Sequence, residues 1–179
     1  MNQSADFSIS LVRTGAAGPF ERSDEQLVCE LEDIDAALQL ITEIAALRGD
    51  YLFRVSGFGQ PEWPVDLRVD LLVIVEQLPN ALTYIDKDHA EFSLDFYEQG
   101  IERYLHFNIS RNGFVNIACT SETDWKPHPP EIVLPTEQVR EMFQKLAKSF
   151  YLMAKDMCPE VAGSTLLIPF WHELKIAIQ

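Results

Sequence analysis

EFSLDFYEQGIERYLHFNISRNGFVNIACTS, residues 91–121, decides the fold class. Phe92, Leu94 and Phe96 alternate with Glu91, Ser93 and Asp95, the period of a strand with one face on a core. The Glu98–Gln99–Gly100 stretch predicts a turn. Leu105, Phe107 and Ile109 then face inward along a second strand, and Val115, Ile117 and Cys119 along a third. Asn112-Gly113 between them is a hairpin signal, because a tight two-residue turn needs positive φ at both central positions. The stretch therefore predicts a three-strand antiparallel meander over about residues 91–121.

Upstream, Phe7, Ile9 and Leu11 alternate as a strand, and QLVCEL (26–31) is a candidate second one. DIDAALQLITEIAALR (33–48) has Ile34, Leu38, Ile41 and Ala45 at helical spacing. Acidic residues lie at its dipole-positive end, Arg48 at the other, and Gly49 follows as a stop. YLFRVSGF (51–58) reads as a strand closed by glycine. Over 65–78 strand and helix periods compete. A helix starting at Asp70 as N-cap and ending before Pro79, with one further turn through Leu82 as an option, is the expectation. Downstream, DWKPHPPEIVLP (124–135) is expected to be irregular because its prolines remove ladder donors. Thr136 is expected to cap a long helix to Met157, with an apolar stripe of Val139, Met142, Phe143, Leu146, Phe150, Met153 and Met157. A short last helix is expected near 169–177. The class is α+β: an antiparallel sheet with helices packed on one side, in one domain spanning 1–179.

Charge is the most informative bulk property. The chain holds 28 acidic and 14 basic residues, a net charge of −14. The segment 21–102 holds 19 acidic and 5 basic residues and so carries that whole imbalance, while the segments on either side balance. A field of this sign repels nucleic acid and anionic membrane and attracts basic partners. The first twenty residues lack a basic start and a long apolar run, and LLVIV (71–75) and LLIPFW (166–171) are too short to span a bilayer. A cytoplasmic protein is the expectation. Cys29, Cys119 and Cys158, odd in number and without CxxC spacing, read as reduced core thiols.

Familiar catalytic patterns are missing. His89, His106, His128 and His172 form no HxH, HxxxH or HExxH, and there is no GxSxG or DxDxDG. Gly57–Gly59 after a strand begins like a phosphate loop, but Pro61, Trp63 and Pro64 stand where a small residue and a helix start are needed. No catalytic residue, metal ligand or cofactor is assigned. What remains is GFGQPEWPVDLRVD (57–70), a stiff loop offering Phe58 and Trp63 as anchors and Glu62, Asp66 and Asp70 as charge. Asp86, Asp88, Tyr97, Glu98 and Glu102 continue the same combination of aromatic and acid. This is the composition expected of a surface that grips a basic protein.

The GFG loop followed by W-P-V-D, a helix ending in LP, and the FYEQG strand resemble the immunity proteins of bacterial polymorphic and contact-dependent toxin systems. The likeness covers roughly residues 50–172. It implies a non-catalytic antitoxin that neutralises a cognate toxin, often a basic enzyme such as a nuclease, inside the producing cell. It carries over no catalytic residues. The alternatives are a small enzyme or metal-binding protein with a site assembled from distant residues, and a scaffold or adaptor.

Overall fold

The computed structural model of the chain describes residues 6–15, 33–87 and 90–177. The possible strand at 26–31, Cys29, Asp88 and His89 lie outside the described residues. The elements run β1 (Ser8–Arg13), α1 (Ile34–Arg48), β2 (Tyr51–Ser56), α2 (Asp70–Tyr84), β3 (Glu91–Phe96), β4 (Arg103–Ile109), β5 (Phe114–Ser121), β6 (Glu131–Pro135), α3 (Thr136–Met157), α4 (Pro159–Ala162) and α5 (Ile168–Glu173). The class is α+β, with two antiparallel sheets: β1–β2, and a four-stranded sheet in the order β3-β4-β5-β6.

The expected meander is there, but it is three strands of four. EIVLP adds β6 to the open edge of β5, with Ile132 opposite Ile117 and Leu134 opposite Val115. The prolines that argued for irregularity precede the strand or end it. An edge strand needs ladder donors on one side only, and Ile132 and Leu134 gain burial by facing the core. At the β4–β5 hairpin only Gly113 takes positive φ, so the connection is wider than the two-residue turn expected from Asn112-Gly113. Gly113 N–H bonds Ser110 O, and Asn112 Oδ1 accepts from Phe114 N–H.

Helix boundaries follow packing more than local signals. In α1, Asp33 Oδ1 accepts from Ala36 N–H at 2.8 Å and Gly49 closes the far end at φ 68°, both as its sequence implies. In α2, Pro79 lies inside the helix rather than after it. A proline removes one intrahelical bond, but Ala81, Leu82 and Ile85 beyond it are all buried, which holds the last turn in place. Asp70 does not cap this helix. The turn leading into α2 is capped by Asp66, whose Oδ1 accepts from Arg68 and Val69 N–H. The long helix α3 starts at Thr136, but Thr136 Oγ1 makes no capping bond; its backbone N–H goes to Gly113 O instead. The C-terminal region forms two short helices, α4 and α5, where one was expected.

One apolar cluster joins these elements. Helix α3 is its axis: Phe143 packs edge-on against Phe107 of β4, and Met142 Sδ lies 3.3 Å from Ile9 N on β1. Burial alternates along β3, β4 and β5, so one face of the larger sheet meets the helices and no described element covers the other.

Candidate functional site

The loop after β2 turns inward. Gly57 and Gln60 exchange both backbone hydrogen bonds across a turn whose two central residues, Phe58 and Gly59, have φ of 54° and 83°. Left-handed backbone is costly for a phenylalanine, and here the burial of its ring offsets that cost. Phe58 is 1% exposed and lies against Phe7 and Trp63. Trp63 is 2% exposed, donates Nε1–H to Gly57 O and sits edge-on to Phe96. Phe58 and Trp63 are therefore not the surface anchors expected of them. A bulky ring on a glycine-rich loop satisfies a core as readily as a partner, and the core had room for both.

The loop closes on the segment before β6. His128 N–H donates to Phe58 O, and a side chain at Gly59 would meet His128 O at 2.3 Å. Between the two segments lies Arg103, 3% exposed. Its guanidinium stands 4.4 Å from the Trp63 ring centre and 3.6 Å from that of Trp125, and Nη2 donates to Gln60 Oε1 at 2.7 Å. Nε and Nη1 have no partner. Burial pushes the Arg103 guanidinium down to about 10 and the neighbouring Cys119 thiol up to about 11. Nothing in the sequence marked Arg103, which occupies an inward position of β4 where an apolar residue is the rule.

The expected acids divide into two groups. Asp70 is buried beside Asp66, its Oδ2 accepting from Asp66 N–H at 2.6 Å while Oδ1 stays unpartnered. Burial first, then the charges of Asp66 and Glu98, hold its carboxyl above the ordinary range. Asp86 is tied to Arg140 at 2.9 Å and to Lys175, and its carboxyl lies below the ordinary range chiefly through the Lys175 bond. Neither Asp70 nor Asp86 is the free surface charge expected. Glu62 and Asp66 are exposed, Glu98 and Glu102 half-buried, and Tyr97 stands 52% exposed beside Glu98. Burial, then the charges of Glu76 and Glu98, raises the Tyr97 phenol. These residues form an acidic ridge around the start of α2 and the β3–β4 turn.

The uncovered face of the larger sheet is a second polar surface. It holds an open depression of about 490 Å³ floored by Glu91, Ser93, His106, Asn108, Asn116 and Ala118. Ser93 Oγ and His106 Nδ1 meet at 2.8 Å across the β3–β4 pair, both exposed to water. Among the described residues no carboxylate bonds this histidine, as a Ser–His–acid arrangement for nucleophilic attack requires. Among the described residues no three His, Cys, Asp or Glu side chains converge as a metal site, and no helix is long and apolar enough to cross a membrane.

No family model, curated protein or solved structure matches the chain. The reading of its function therefore rests on its own chemistry.

Proposed function

We propose that this chain is a non-catalytic immunity protein that binds and neutralises a basic bacterial toxin through its acidic surface. The observation that supports this most is how the acids are distributed. Asp50, Asp86, Glu137, Glu141 and Asp156 each share an ion pair with Arg or Lys. Among the described residues, Glu62, Asp66, Glu76 and Glu98 on the ridge, and Glu91, Asp95 and Glu131 on the open sheet face, enter no ion pair, as is also true of Asp33, Asp35, Glu43, Asp124 and Glu173. Charge left unpaired on one part of a surface costs self-repulsion. It also focuses a field that attracts and orients a partner of opposite sign.

The test is co-expression with the toxic domain encoded beside this chain. Host cells should survive, and the two proteins should elute as a complex. Reversing Glu62, Glu76 and Glu98 to Lys should slow association at low salt by about tenfold or more, with less change in dissociation, since exposed charges act mainly on encounter. Full toxicity in the presence of the parent protein would reject the reading.

A further inference from the structure

We propose that the open face of the four-stranded sheet is the contact surface for an arginine-bearing patch on a basic protein. This rests on the preceding reading that the partner is basic, and it adds where and by what chemistry that partner is held.

The first argument is charge. The outward positions of β3 to β6 carry Glu91, Asp95 and Glu131 and no Lys or Arg. A basic surface laid on this face meets no like charge from the strands.

The second argument is the direction of the hydrogen bonds. Asn108 Nδ2 donates to Glu91 Oε1 at 2.6 Å, and Asn116 Nδ2 donates to Glu131 Oε2 at 3.1 Å. Both asparagine amides thus donate to carboxylates of the same face. Acceptors are left over: the second carboxylate oxygens of Glu91 and Glu131, whose side chains are exposed. A surface with acceptors in excess suits a group that only donates. Guanidinium has five N–H donors in a planar fork and no acceptor, whereas ammonium is a compact point charge without that fork. The geometry therefore favours arginine over lysine.

The third argument is shape. The depression on the face is open, and its lining is as polar as it is apolar, unlike the concave, mostly apolar sites that enclose small molecules. At its β5–β6 end Phe114 and Val133 are 44% and 62% exposed. They offer apolar contact next to the acids, as protein interfaces do. The acidic ridge lies on other elements, around α2 and the β3–β4 turn. Its role is to steer the partner in from a distance, whereas the sheet face holds it in contact.

Backbone amide NMR with two probes, hexa-arginine and hexa-lysine, tests this at low salt. Hexa-arginine should shift the amides of Ser93, Tyr104, His106, Asn108 and Asn116, and bind several-fold more tightly than hexa-lysine. Glu91→Gln with Glu131→Gln alters two exposed side chains and should weaken hexa-arginine binding by about fivefold or more while leaving the rest of the spectrum in place. Shifts confined to Glu62, Asp66, Tyr97 and Glu98, equal for both peptides, would overturn this placement and leave the basic-partner reading standing. No saturable binding of either peptide would overturn both.

Discussion

Asp70 is a carboxylic acid that folding drives out of water without a cation to meet it. Its environment raises the folded-state value above the ordinary 3.8 through burial, helped by the charges of Asp66 and Glu98. The folded protein therefore holds this proton more tightly than the unfolded chain does. Stability contributed by the group is present at low pH, falls as pH rises from the ordinary value towards the raised one, and is lost above it. Asp70→Asn keeps an oxygen for Asp66 N–H and carries no charge. The variant should equal the parent in acid and exceed it at neutral pH. Urea unfolding at a series of pH values checks this, and a constant difference between the two proteins would show that Asp70 titrates normally. Arg103 raises the same problem with the opposite sign. Two indole faces and Gln60 compensate part of its desolvation, since a cation over an indole gains about 2 kcal/mol or more once water is excluded.

Among elements, β3 shows how the sheet avoids growing. An edge strand offers free N–H and C=O groups to any passing strand. Gln77 of α2 occupies that position with its side-chain amide: Nε2 donates to Asp95 O at 3.0 Å, and Oε1 accepts from Asp95 N–H at 2.9 Å. The amide acts as one residue of a missing fifth strand. Gln77→Ala should cost about 0.5–1.5 kcal/mol for each bond lost and leave the edge open. Sedimentation at rising concentration should then show more self-association than the parent does. Unchanged association and unchanged stability would remove this role. The same elements show what a sequence discloses. Strands β3 to β5 and the stripe of α3 were legible because one-sided burial writes its period directly into the chain. The strand β6 was not, and the last turn of α2 stood only as an option through Leu82. In both, prolines gave a strong local signal against structure, and contacts made by residues distant in sequence outweighed it. Candidate site residues were harder still. Phe58 and Trp63 carry identical side chains whether they face a core or a partner, and composition does not record direction.

At the scale of the molecule, a single apolar cluster ties both sheets to the helices, with α3 between them. Phe143 is fully buried and meets both Phe92 and Phe107 of the larger sheet. Its truncation removes packing that several elements share. Phe143→Ala should cost about 3–5 kcal/mol and lower the stability of both sheets together, so that circular dichroism and hydrogen exchange report one common loss. A stability close to that of the parent would show that the helix buries a different face. The acidic excess works at this scale too. Asp86, Glu137, Glu141 and Asp156 are paired around α3, whereas the acids of the ridge and the open sheet face enter no ion pair among the described residues. That separation gives the molecule a direction in an electric field, which no single carboxylate does.

The clasp around Arg103 also divides the protein's light emission into two kinds. Trp63 and Trp125 stand beside a buried positive charge, while Trp171, fully enclosed, stands among the rings of Phe150, Tyr151 and Phe170. Indole colour depends on the field across the ring. The first pair therefore reports on whether the two loops are shut, and the third reports on the docking of the C-terminal helix. One protein thus carries two built-in lamps, set at separate joints of its frame.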